Sequence, residues 1–236
     1  MATRNILIPV PDRDFDTTEV SVPWRLLTRA GHRVTFATEK GGAAPACDPL
    51  LLTGVVFGKL GAEPEARAFY EELTRSPEFK APIAWDAIKP DEYDALLLPG
   101  GHAPGMTQYL GSEPLRKKVR EFWLLGRPTA AICHGVLVLA RAGVLGDRRT
   151  TCLPKYMERL AYYLTFWRHG RYYRTYPDYT EDEVCSFLRD PSAQFQRGPL
   201  TLGGNETFVV EDGNYLSARW PGDAYVFANR LLEKLQ

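Results

Sequence analysis

One cysteine, Cys133, stands between a short apolar segment at 128–132 and an apolar helical pattern at 136–140, with almost no residues left for a loop. A strand that turns this abruptly into a helix forces its central residue into a strained backbone conformation. It also requires small residues two positions away on either side. Ala131 and Gly135 meet that requirement. The pattern therefore predicts a nucleophile elbow with cysteine in the place of serine.

Cys133 has two interpretations. A cysteine at a helix N-terminus feels the positive end of the helix dipole, which favours the thiolate and predicts a reactive residue. The alternative is an inert cysteine of the core, because free cysteines are often buried. The elbow is a more specific context than a lone cysteine, and it favours the reactive interpretation.

Alternation of short apolar runs with helical patterns predicts an α/β fold. Residues 5–10 and 95–99 are continuous apolar runs of the kind found in buried parallel strands, and 5–38 read as a β-α-β unit. A hairpin with an Asp212-Gly213 turn precedes a final amphipathic helix. We expect a flavodoxin-like three-layer α/β/α sandwich with a mostly parallel sheet, and a further strand at 148–153.

An aromatic-rich segment at about 156–198 interrupts this alternation within what reads as a single domain spanning 1–236. One interpretation is an inserted helix and loop that covers the core or forms a dimer contact. The other is a lid or pocket wall above the active site.

The composition excludes several classes of function. Of 236 residues 44% are hydrophobic and the formal net charge is zero, which argues against nucleic-acid or membrane-surface binding. No signal peptide or membrane-spanning run is visible, and the four cysteines show no C-x-x-C spacing, so a reduced, cytoplasmic protein is predicted. Neither nucleotide-binding glycine motif occurs, and His32, His102 and His169 lack metal-ligand spacing. We therefore predict no cofactor and no metal.

Three candidate site segments fall at the carboxyl ends of predicted strands, where ligands bind in open α/β sheets. They are Glu19, the Gly100-Gly101 loop and Cys133. Backbone N–H groups of Gly101 and His134 could stabilise an oxyanion, although the glycine pair also fits an ordinary tight turn. Glu19 ends a capping box that begins at Asp16 and could merely start a helix. A protonated Glu19 near the thiolate could instead donate a hydrogen bond and act as a general acid or base.

His134 follows Cys133 directly, so its side chain could fold back beside the sulfur and form a Cys–His pair, or it could only cap the helix. A third group that orients the imidazole would be a carboxylate from elsewhere in the chain. Glu158 is one candidate, and a solvated surface carboxylate beside Arg159 is an equally good description of it.

Two segments together carry a family resemblance. Residues 97–105, Leu-Leu-Pro-Gly-Gly-His-Ala-Pro-Gly, and residues 131–135, Ala-Ile-Cys-His-Gly, resemble the ThiJ/PfpI superfamily, nearest its heat-shock-type chaperone, glyoxalase III and protein deglycase members. The resemblance implies a homodimer without an organic cofactor. It implies Cys133 as nucleophile, Glu19 as the acid that contacts the thiolate, His134 as catalytic histidine and Glu158 as the third residue. It also implies that Cys133 is prone to oxidation to sulfinic acid.

The expected function is cysteine-dependent chemistry on a small reactive carbonyl, of the glutathione-independent glyoxalase III or deglycase kind. The alternatives are a redox-responsive stress protein or chaperone without turnover, and a PfpI-type amidase or peptidase whose site is completed in a larger assembly. Glutamine hydrolysis is disfavoured, because class I glutamine amidotransferases carry a distal His-x-Glu pair. The only histidine after His134 is His169, which is followed by Gly170-Arg171.

Overall fold

A seven-stranded sheet forms the centre of the structure, a computed structural model that describes residues 2–174, 176–200 and 206–236. The strands are β1 (Asn5–Pro9), β2 (Arg13–Phe15), β3 (Arg33–Thr38), β4 (Ala46–Cys47), β5 (Ile83–Ala84), β6 (Ala95–Leu98), β7 (Thr129–Ile132), β8 (Val209–Asp212) and β9 (Tyr215–Ala218). The sheet order is β5-β3-β1-β6-β7-β9-β8, and only the β8–β9 pair is antiparallel. Strands β2 and β4 form a separate parallel pair.

Helices connect the strands and pack on the sheet. They are α1 (Thr17–Arg29), α2 (Pro49–Thr53), α3 (Pro64–Leu73), α4 (Pro77–Lys80), α5 (Met106–Gly111), α6 (Glu113–Leu124), α7 (Val136–Arg141), α8 (Lys155–His169), α9 (Thr180–Ser186), α10 (Pro191–Gln194) and α11 (Ala224–Lys234). Helix α1 packs against α3 and α11, whereas α7 packs against α5, α6 and α9. The predicted layered α/β architecture is confirmed, and it follows from the continuous apolar runs: all four residues of β6 and of β7 are buried.

Helix α1 begins where the capping box predicts, immediately after Asp16. The Asp16 carboxylate accepts hydrogen bonds from the backbone N–H groups of Thr18 and Glu19, and the helix continues through Pro23.

The predicted strand at 148–153 is wrong. Thr150 makes one isolated bridge to Phe195, and the Thr151 backbone N–H donates to the Ser217 hydroxyl. The reason is topological, because the place beside β9 is taken by β8 of the hairpin.

The aromatic-rich segment folds into α8, α9 and α10. One face of α8 carries apolar side chains that are 44–56% exposed: Leu160, Tyr163, Leu164 and Trp167. Their spacing of three and four residues places them along one stripe. Among the helices that the structure describes, none has the length and apolar content needed to cross a membrane.

Candidate active site

The elbow brings Cys133 to the carboxyl end of β7. Cys133 has φ 56°, in the left-handed region that side chains other than glycine seldom adopt, and a 3-10 turn over Cys133–Gly135 leads into α7. A Cβ at Gly135 would lie 2.1 Å from the Leu98 carbonyl oxygen, so only glycine fits there. The predicted elbow and its need for a small residue at 135 are confirmed.

The Gly100 loop packs directly on the elbow. A Cβ at Gly100 would lie 2.7 Å from the His134 backbone nitrogen and 2.9 Å from the Cys133 Cβ. The Gly100 N–H donates to Glu19 Oε2 at 2.8 Å, so it is already used. No hydrogen bond joins the Gly101 N–H to any described residue, and its role as an oxyanion donor stays a prediction.

Glu19 is fully buried and reaches across to the loop rather than back to its own helix start. In a complete capping box the Glu side chain accepts a hydrogen bond from the N–H of the first capping residue. Here the Asp16 N–H donates to the Gly100 carbonyl at 2.9 Å instead. The second oxygen of Glu19, Oε1, is buried and has no hydrogen-bond partner among the described residues. Glu19 therefore does more than begin a helix.

Glu19 and Cys133 perturb each other. Burial raises the pKa of Glu19 well above its usual range, and the negative charge of Asp16 adds to this. Burial also raises the pKa of the Cys133 thiol, and the Glu19 charge adds to it, whereas the His134 backbone N–H opposes the shift. Burial therefore opposes the thiolate that the helix N-terminus favours, and the reactivity of Cys133 stays a prediction. A protonated Glu19 would no longer oppose the thiolate.

His134 folds back beside the sulfur. Its Nδ1 lies 3.4 Å from the Cys133 Sγ, and the imidazole is 2% exposed. Burial lowers the pKa of His134 well below its usual range, and the nearby His102 and Arg141 lower it further. Both pKa shifts favour the neutral thiol and imidazole over the thiolate and imidazolium in the resting site.

The structure does not bring Glu158 into hydrogen-bonding contact with His134. The Glu158 carboxylate accepts from Arg174 Nη1 at 3.3 Å and from the Thr180 N–H at 2.9 Å. Burial raises its pKa in spite of these partners. Its contacts join α8 to the segment that follows, so its role as the third catalytic residue stays a prediction.

The aromatic segment supplies a wall of the site. The Tyr173 ring lies 6.1 Å from the ring of His102, and the Tyr176 ring lies 6.4 Å from that of His134. The hydroxyls of Tyr172 and Tyr173 both donate to Asp48, at 2.9 and 2.8 Å. This favours the pocket-wall interpretation of these residues.

His102 is the residue that sequence spacing missed. Its ring packs edge-to-face on His134, with centroids 4.6 Å apart. Ligand atoms of His102, Cys133 and His134 lie within 4.8 Å of one another. Its position in the sequence could have revealed it, because His102 directly follows the glycine pair at the end of β6, where ligands are expected.

Comparison with known proteins identifies the family. A family model described as ThiJ/PfpI family-like matches residues 10–199. This chain belongs to the ThiJ/PfpI family. The resemblance carried by residues 97–105 and 131–135 is confirmed.

Individual relatives match along nearly the whole chain. A deglycase of Pyrococcus abyssi is 27% identical over 222 residues, covering 94% of each protein. The solved structure of a 24 kDa rapid encystment protein of Francisella tularensis superposes with a TM-score of 0.73 at 16% identity, covering 99% of this chain and all of the other. Glyoxalase III of Candida albicans gives a TM-score of 0.70 at 17% identity, covering 98% and 97%. At these identities the two solved structures show a shared fold.

Proposed function

We propose that this protein is an enzyme in which the Cys133 thiol attacks a small reactive carbonyl, as in glutathione-independent glyoxalase III or deglycase chemistry. The observation that carries the proposal is the elbow cysteine held between a buried carboxyl and a neutral imidazole whose Nδ1 is 3.4 Å from the sulfur. The deglycase similar to most of this chain supports the same class of chemistry.

The first step forms a bond between Cys133 Sγ and the aldehyde carbon of a 2-oxoaldehyde. The thiol proton passes to His134 Nδ1 as sulfur attacks, and the carbonyl oxygen becomes an alkoxide. The Gly101 N–H is the donor on the loop side for that charge. The proton then returns from His134 to the alkoxide and gives a hemithioacetal.

The second step moves a proton within the bound substrate. His134 or Glu19 removes the proton from C1 and one is delivered to C2, while the hydroxyl proton moves from the C1 oxygen to the C2 oxygen. The hemithioacetal thereby becomes a thioester of the 2-hydroxy acid. Water cleaves the thioester and restores the thiol. The sum is one 2-oxoaldehyde plus one water giving one 2-hydroxy acid, with no external oxidant or reductant.

The raised pKa of Glu19 suits this sequence, because a neutral carboxyl can donate a hydrogen bond to the developing thiolate without repelling it. Before substrate arrives, the buried groups carry little charge. Charge separation between sulfur and imidazole then coincides with attack, in a buried site.

Turnover of methylglyoxal to lactate by the purified protein tests the proposal. We expect Cys133→Ala to abolish turnover and Glu19→Gln to reduce kcat by about 100-fold or more. Cys185→Ala is the matched control, because that cysteine is partly exposed and lies outside the site. Equal turnover in wild type and Cys133→Ala, or none in wild type with either methylglyoxal or a glycated amine, would refute the proposal.

A second candidate is a redox-responsive stress protein without turnover, which the exposed apolar stripe of α8 favours. It predicts selective addition of oxygen to Cys133 by peroxide together with a change in holdase activity. Intact-mass spectra that show no selectivity for Cys133 would exclude it.

A further inference from the structure

We propose that His102, Cys133 and His134 form a binding site for a single thiophilic cation of the Zn²⁺ class, which blocks the nucleophile reversibly. The three ligand atoms lie within 4.8 Å of one another, and the Cys133 Sγ to His134 Nδ1 distance is 3.4 Å. The inference does not depend on which carbonyl the enzyme uses, or on whether it uses one.

The geometry is close to that of a tetrahedral site. Bonds of about 2.3 Å to sulfur and about 2.0 Å to imidazole nitrogen place two ligands on one Zn²⁺ roughly 3.5 Å apart. The sulfur–His134 pair already has this separation. The other ligand atoms lie up to 4.8 Å apart, so His102 must approach by as much as about 1.3 Å.

The chemistry of the three donors matches one class of ion. Thiolate plus two imidazoles is a soft-to-borderline set that selects Zn²⁺, Cd²⁺ or Cu⁺ over Mg²⁺ or Ca²⁺. A thiol binds such an ion as the thiolate, so binding releases the proton of Cys133.

A second observation points to a cation. Glu19 Oε1 is buried beside the site without a hydrogen-bond partner among the residues that the structure describes. A Glu19 carboxylate would offset the charge of a cation on the sulfur, and three protein donors leave one position open for water.

The expected consequence is inhibition. The sulfur lone pair that would attack a carbonyl is shared with the cation, so an occupied site cannot start the reaction. A chelator would restore the thiol. The predicted absence of a metal rested on the spacing of His32, His102 and His169. It missed this set because Cys133 and His134 complete it from another strand.

Cd²⁺ binding to the purified full-length protein tests the site. We expect one Cd²⁺ per chain, a thiolate-to-metal absorption band in the near ultraviolet and release of about one proton. Cys133→Ser should lose the band, and His102→Gln should raise Kd at least tenfold. His32→Gln and Cys185→Ser are matched controls away from the site and should leave both unchanged.

Two outcomes would overturn the inference: a full thiolate band in Cys133→Ser, or an affinity for Cd²⁺ that His102→Gln does not change. Both readouts are taken without substrate. A protein that binds Cd²⁺ as expected but does not turn over methylglyoxal would refute the proposed function alone.

Discussion

Replacing Asp16 with asparagine isolates the cost of a buried charge beside the site. Asp16 is 6% exposed, and its pKa is raised from 3.8 to about 6, mainly by burial, with a smaller contribution from the charge of Asp48. A group whose folded pKa is raised binds more protons in the folded state. Its ionisation therefore removes stability as pH rises through the window from 3.8 to about 6.

The magnitude follows from the two pKa values. Ionisation of Asp16 lowers the free energy of unfolding by about 1.5 kcal/mol at pH 5 and by about 3 kcal/mol at pH 7.5, compared with a protein whose residue 16 cannot ionise. The asparagine side chain has no charge and keeps an oxygen that can accept from the Thr18 and Glu19 N–H groups, so the helix cap is retained. We expect Asp16→Asn to be more stable than wild type, by a margin that grows about 1.5 kcal/mol between pH 5 and pH 7.5.

Urea unfolding at the two pH values measures this margin. Asp190→Asn is the matched control, because Asp190 caps α10 in the same way but is exposed, and its pKa is lowered by its Ser192 and Ala193 hydrogen bonds. That variant should show no gain that grows with pH. A margin for Asp16→Asn that is constant or shrinks between pH 5 and pH 7.5 would refute the reasoning.

The same substitution should alter the thiol. The Asp16 charge raises the pKa of both Glu19 and Cys133, so its removal lowers both. The pH profile of Cys133 alkylation should therefore move to lower pH in Asp16→Asn. An unchanged profile would show that Asp16 does not influence the sulfur electrostatically.

Other predictions concern packing, access and assembly. Gly135→Ala forces a Cβ to 2.1 Å from the Leu98 carbonyl oxygen, so urea unfolding should show a loss of about 3 kcal/mol or more in the free energy of unfolding. Gly111→Ala is the control and should be nearly neutral, because its Cβ would meet no atom within 4 Å. Tyr173→Phe removes a 2.8 Å hydrogen bond to Asp48 that is worth about 1.5 kcal/mol, so iodoacetamide should label Cys133 about tenfold faster. Tyr163→Phe is the control, because Tyr163 is exposed on α8, and it should leave the labelling rate unchanged. Light scattering should give twice the 26.6 kDa of one chain; a monomer would contradict the homodimer expectation, and a larger assembly would favour the amidase alternative.

Much of the site could be predicted because it depends on local sequence. The elbow follows from small residues on either side of Cys133, and the rule that ligands lie at strand ends placed Glu19 and Gly100 near it. The elbow and the placement of Glu19 and Gly100 both depend on recognising parallel strands, and continuous apolar runs reveal such strands well.

The rest depends on contacts between distant segments. Tyr173 and Asp48 are 125 residues apart in sequence, and no periodicity shows that a tyrosine beyond α8 bonds a helix cap after β4. The burial of Cys133 is hidden from the sequence for a related reason. A helix N-terminus is visible in sequence, whereas the depth of burial that raises the pKa of the thiol is a property of the whole fold.

The complete burial of Cys133 has a kinetic consequence. A reagent can reach the sulfur only after part of the surrounding structure opens, so labelling resembles amide hydrogen exchange. At low concentration a thiol reagent reacts at a rate set by the opening equilibrium multiplied by its own reactivity. At high concentration the rate saturates at the opening rate itself. Chemically unrelated reagents would then converge on one limiting rate, and that rate would also be the ceiling for substrate capture in the proposed reaction.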